Sequence, residues 1–67
     1  MLPINLYIII PALNEQASIG KVLAAINQTR QAIQPVLLLE TVVVDNGSTD
    51  QTAAIATQHG AKVLYQP

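Results

Sequence analysis

The sequence predicts an α/β fold, specifically a β-α-β-α-β half of a doubly wound parallel sheet, and two observations carry that expectation. Two apolar runs rich in β-branched residues each stop at polar groups: Ile8-Ile9-Ile10-Pro11-Ala12-Leu13-Asn14-Glu15 and Val42-Val43-Val44-Asp45-Asn46-Gly47-Ser48-Thr49-Asp50. A helical pattern follows each run. Strands alternating with helices over connections of this length make right-handed crossovers and a parallel sheet. Open sheets of this kind bind ligands outside the carboxyl ends of their strands, so two such ends suggest one shared crevice.

The first strand is expected over Leu6–Ile10, ended by Pro11, which cannot donate to a ladder. Ile19, Val22, Leu23 and Ile26 then recur at the spacing of an amphipathic helix, capped by Asn14 or Ser18. The polar stretch from Asn27 to Arg30 is expected to fray, and Gln31–Pro35 reads as a connection. Val36–Val44 is the second strand, centred on Thr41–Val44. Ser48-Thr49-Asp50-Gln51 matches a capping box with Ser48 at the N-cap, and Asp50 in the first turn complements the helix dipole. The second helix is expected over Thr52–His59, with Gly60 as the residue just past its end and His59 as a dipole partner. Lys62–Tyr65 is a third strand. Lys21, Arg30 and Lys62 read as solvated surface charges.

Size and composition exclude several functions. The chain has 67 residues, so it holds one small domain. Chains of this size bury only about 60% of their unfolded surface and are marginally stable. An open parallel sheet adds an unpaired edge and incomplete cover, so self-association is expected. With no cysteine there are neither disulfides nor thiolate metal sites. A net charge of −1, with 10% charged residues, argues against a nucleic-acid surface. The hydrophobic fraction of 51% suits strands covered on both faces. The apolar run from Leu6 to Leu13 is far short of the roughly 20 residues of a membrane span, and no basic residue precedes Lys21 as a signal peptide requires. A cytoplasmic location is expected. The sequence contains no G-x-G-x-x-G, P-loop or G-x-S-x-G motif, and no D-x-D pair.

With Pro11-Ala12-Leu13-Asn14-Glu15, Ile19-Gly20-Lys21-Val22-Leu23 and Val44-Asp45-Asn46-Gly47-Ser48-Thr49-Asp50 in this order, the whole chain resembles the N-terminal part of family 2 glycosyltransferases of the GT-A fold. The branch it most resembles is the polyprenyl-phosphate, dolichyl-phosphate mannose synthase-like one. The resemblance implies that residues 1–67 are the nucleotide-sugar-binding part of such a domain, Rossmann-like and incomplete. The donor would be a UDP- or GDP-sugar and the acceptor a polyprenyl phosphate. By the same resemblance Pro11, Ala12 and Leu13 line the base and ribose with backbone groups. Glu15 acts near the ribose or base, and Asp45 and Asn46 read the base edge or hold the loop. Many members carry a second aspartate where this chain has Asn46. In the family, the metal-binding D-x-D and the acceptor-side carboxylate lie beyond the stretch matched here. Mg or Mn is therefore expected of the full-length family and no cofactor of residues 1–67. No catalytic or metal-ligating residue is assigned, and no sugar transfer is expected of these residues alone. Asp45 and Asn46 also fit plain turn formers, and Ser48 and Thr49 fit helix caps. The rival functions are a non-catalytic remnant or interaction module, and a sugar-phosphate nucleotidyltransferase. The latter would carry a Gly-rich basic loop after the first strand, which Pro11–Glu15 does not resemble.

Overall fold

The computed structural model describes residues 4–34 and 36–67. The elements run β1 (Ile4–Ala12), α1 (Ile19–Ile33), β2 (Leu37–Asp45), α2 (Thr52–Gln58) and β3 (Lys62–Tyr65). All three strands are parallel, in the order β1-β2-β3. This is the expected α/β architecture, a β-α-β-α-β half of a doubly wound parallel sheet. Ile4 pairs with Leu37 and Ala12 with Asp45, while β3 pairs only with Val42–Asp45.

Both helices lie on the same face of the sheet. Ile19 and Leu23 from α1, Ala56 from α2, and Ala12, Val43 and Ala61 form the buried core, with Ile10, Ile26, Ile55 and Val63 packed against it. The helices approach closely at Gly20, where a Cβ would lie 3.2 Å from His59 Nε2 and 3.4 Å from Ile55 Cγ2. Side chains alternate between faces along a strand, so Tyr7, Ile9 and Leu64 point the other way. They are 62%, 65% and 43% exposed. That face is apolar and open, although parallel sheets are ordinarily covered on both sides.

Several boundaries differ from the sequence expectation. β1 continues through Pro11 to Ala12. Proline removes only one donor, and β1 is an edge strand among the described residues, where such a loss is tolerated. α1 does not fray at Asn27–Arg30 but runs on to Ile33. Its polar residues find partners: Asn27 Nδ2 donates to His59 O at 3.0 Å, and the Arg30 guanidinium donates to Leu39 O at 2.9 Å and Asn27 Oδ1 at 2.8 Å. Arg30 is therefore not a solvated charge. It also reaches the hydroxyl of buried Thr41 at 3.3 Å. Pro35, placed by the sequence in the connection, lies outside the described residues.

Ser48 is not the N-cap of α2, which begins only at Thr52. The Asp50 carboxylate takes the Thr52 amide at 2.9 Å instead, and the Ser48 hydroxyl is used elsewhere. The other end of α2 follows the glycine rule. Gly60 has φ 85°, its amide donates to Thr57 O at 3.0 Å, and Ala61 N donates to Ala56 O at 3.1 Å. These are the two bonds of a Schellman stop.

Candidate functional site

The parallel register brings the ends of β1 and β2 level, and Asn46 N donates to Ala12 O at 2.9 Å just beyond the last pair. The loops after the two strands therefore leave the sheet side by side. Side chains of each loop satisfy backbone amides of the other. Asn14 N donates to Ser48 Oγ at 2.9 Å, Glu15 N to Thr52 Oγ1 at 2.8 Å and Gln16 N to Asp50 Oδ2 at 3.3 Å. In the opposite sense, Thr49 N donates to Asn14 Oδ1 and Gln51 N to Gln16 Oε1, both at 2.9 Å. An exposed loop normally leaves its amides to water. Here three consecutive amides, 14 to 16, are held by protein oxygens, and the two loops form one ledge.

Asp45 sits at the floor of this ledge, 5% exposed, and its Oδ1 accepts the Ser48 amide at 2.9 Å. The Ser48 hydroxyl, then the Ser48 and Gly47 amides, hold its carboxyl below the ordinary carboxylate value, outweighing partial burial. Asp50 is held low as well, first by the Thr52 hydroxyl and further by the Thr52 and Gln16 amides. Hydrogen bonds to the ionised form favour that form, so both groups are charged at neutral pH. Gly47 makes the turn after Asp45 at φ 103°, a region closed to most side chains.

The residues singled out by the resemblance converge on this edge in unequal ways. Pro11 is exposed, on the open face of the sheet. Ala12 is buried, its carbonyl occupied by Asn46 N, and Leu13 is 53% exposed. The Glu15 carbonyl accepts Ser18 N at 3.0 Å and Ile19 N at 2.8 Å, and its exposed carboxylate accepts the Ser18 hydroxyl at 3.1 Å. Asn46 is exposed and donates through Nδ2 to Gln66 O at 3.1 Å, tying the β2 end to the segment after β3. The sequence reading assigned no bridging to Asn14, Gln16, Ser48, Thr49, Asp50 or Thr52. Each is a residue type that caps helices or makes turns, and their pairing across 34 to 37 residues leaves no local pattern. Among the described residues there is no cluster of three or more His, Cys, Asp or Glu able to hold a metal. None of the described helices is long and apolar enough to cross a membrane.

A half doubly wound sheet with a polar ledge at its carboxyl edge is the class of α/β scaffold that takes ligands outside its strand ends. The sequence model described as Glycosyl transferase family 2 matches residues 7–67, and the chain belongs to that family. An uncharacterized glycosyltransferase of Mycobacterium tuberculosis is 43% identical over 60 residues, 90% of this chain and 23% of that protein. Glucosyl-3-phosphoglycerate synthase of Petrotoga mobilis is 44% identical over 55 residues, 82% of this chain and 17% of that one. Among solved structures, glucosyl-3-phosphoglycerate synthase of M. tuberculosis in complex with Mn2+, UDP and glucosyl-3-phosphoglycerate superposes with a TM-score of 0.70 at 33% identity, over 94% of this chain and 21% of that chain. The chain thus spans about a fifth of the length of the relatives it matches.

Proposed function

We propose that residues 1–67 form the nucleoside-binding part of a family 2 glycosyltransferase whose donor is a UDP-sugar, with UDP-glucose favoured. The observation that carries this is Asp45. It is an ionised carboxylate at the carboxyl end of the central strand, nearly buried yet at the edge where open α/β sheets take ligands. The relative solved with Mn2+, UDP-glucose and glycerol 3-phosphate matches over 94% of this chain at 32% identity. Together with the Petrotoga synthase it supports glucose as the sugar, and by itself it supports UDP among the UDP and GDP carriers that the resemblance to the polyprenyl-phosphate branch implied. These relatives give that branch no support.

The ledge suits a nucleoside better than a phosphate. The amides of Asn14, Glu15, Gln16, Ser48, Thr49, Gln51 and Thr52 already donate to side chains. They are not free to cradle an anion in the manner of a P-loop. Glu15, Asp45 and Asp50 place acceptors and negative charge there, which match ribose hydroxyls and base N–H groups and repel a diphosphate. The described residues group no ligands for Mn2+, so no metal-dependent step is assigned to them.

Ligand-observed NMR of the chain with UDP, UDP-glucose and GDP tests this reading. UDP is expected to bind at roughly millimolar Kd, about 4 kcal/mol, with little added by the glucose and weaker signal from GDP. Asp45→Asn is expected to abolish the signal, and Lys62→Ala to leave it intact. A chain that circular dichroism shows to be folded but that binds no nucleotide would instead be a non-catalytic remnant.

A further inference from the structure

We propose that Asn14 is a positioning residue for the donor site, a lock that makes the loops after β1 and β2 move as one piece. The proposal rests on the reading of these loops as the nucleoside site, and it stands on three features that coincide in this residue. Asn14 is the sole non-glycine residue at positive φ among the described residues, at 51°. Asparagine enters that region more readily than most residues. The turn it makes aims both its amide and its carboxamide at the other loop. Asn14 N donates to Ser48 Oγ at 2.9 Å, while Asn14 Oδ1 accepts Thr49 N at 2.9 Å and the Thr49 hydroxyl at 3.4 Å. One residue therefore bonds two successive residues of the opposite loop, in both directions. Its neighbours on each side carry the remaining functions. Glu15 is the exposed carboxylate of the first loop, and Ser48 holds Asp45 in its ionised form.

Removing the Asn14 carboxamide should thus loosen more than its own bonds. Gln16 N–Asp50 and Gln51 N–Gln16 lie farther along the same seam, and the seam closes only if the loops stay in register. The separation of Glu15 from Asp45, and with it the fit to a nucleoside, follows from that closure. Asn14 itself need touch no ligand.

Amide hydrogen exchange and UDP titration, on wild type, Asn14→Gly and Asn14→Asp, test the lock. Glycine keeps the backbone conformation and deletes the carboxamide, whereas aspartate keeps an acceptor oxygen. In Asn14→Gly, exchange is expected to rise about fivefold at Thr49, the effect of one net hydrogen bond. It should rise likewise at Gln16 and Gln51, whose own partners are untouched. UDP affinity should fall by a similar factor, and Asn14→Asp should restore both. Exchange at Leu23 and Val43 reports global stability. If it also rises, Ser48→Ala, which removes the acceptor of the Asn14 amide, is expected to reproduce the pattern at Gln16 and Gln51 and would overturn the lock if it does not. Acceleration confined to Thr49, or faster exchange with unchanged UDP affinity, would overturn the positioning role. Absence of UDP binding by wild type would defeat the nucleotide reading itself, and exchange at Gln16 and Gln51 would then decide the lock alone.

Discussion

Replacing Arg30 by methionine tests how the sheet and its helical layer are joined. Methionine keeps an unbranched apolar stem of similar length and deletes every donor. In the native chain Arg30 Nε donates to Leu39 O at 2.9 Å, in a residue that is 4% exposed. β3 pairs with β2 only from Val42 onward, so among the described residues no strand on that side reaches Leu39. The guanidinium takes the place of the missing ladder partner. Losing a hydrogen bond to a charged group costs about 1.5–3 kcal/mol, and losing a cation from the last turn of α1 costs about 0.3–1 kcal/mol more. The Arg30–Thr41 contact at 3.3 Å is long and adds little. Arg30 is half-buried, so water partly replaces it in the variant, and the lower end of the range applies: about 2 kcal/mol. For a domain of this size that corresponds to a fall in Tm of roughly 8–16 °C. Thermal and urea denaturation followed by far-UV circular dichroism reads the effect directly. Arg30→Lys should recover less than half, because an ammonium lacks the fork that meets Leu39, Asn27 and Thr41 together. A Tm within about 3 °C of wild type for Arg30→Met, under 1 kcal/mol, would show that the Leu39 carbonyl is served by water and that Arg30 is a surface charge after all.

Two further expectations concern the ledge. Asp45 and Asp50 have folded-state values below the unfolded one of about 3.9. The stability they contribute is fully present above that value and is lost as pH falls through the lowered folded values. The urea midpoint should drop below about pH 4, and the Asp45→Asn, Asp50→Asn double variant should be less stable at pH 7 with a flatter acid limb. Equal acid limbs would refute the assignment. Gly47→Ala should cost about 1–3 kcal/mol from backbone strain at φ 103°, since the nearest atoms to the added Cβ, in Pro67, are an ordinary 3.8 Å away. Gly60→Asn, at φ 85° and with open space around it, should be nearly neutral by thermal denaturation.

Patterns of short range were legible in the sequence. The 3.6-residue stripe of Ile19, Leu23 and Ile26 and the β-branched run before Asp45 placed α1 and β2, and Gly60 placed the end of α2. Errors arose wherever a partner distant in sequence overrode a local rule. Pro11 ends a strand only when the lost donor faces a neighbour. Asn27–Arg30 looks too polar to stay helical until Leu39 O and His59 O are seen to accept from it. Ser48-x-x-Gln51 has the spacing of a capping box, but the Ser48 hydroxyl is taken by Asn14 N and the Gln51 amide by Gln16. The start of α2 consequently moves to Thr52, with Gln51 at its N-cap and the Asp50 carboxylate just before it accepting the Thr52 amide.

The same competition explains why the sequence brought the two segments to one crevice but did not show the bonds that join them. Asn, Ser, Thr, Asp and Gln satisfy nearby amides in turns and caps, so each has a sufficient local reading. Between the two loops these local choices are given up for partners 34 to 37 residues away. The exchange orders both loops although Asn14, Glu15, Gln16 and Thr49 are exposed. Ordering polar loops costs conformational entropy that apolar burial does not offset here, so hydrogen bonds must hold them. A ledge held in that way keeps Asp45 charged and in place before any ligand arrives, and such preorganisation is how a small site gains affinity from few contacts.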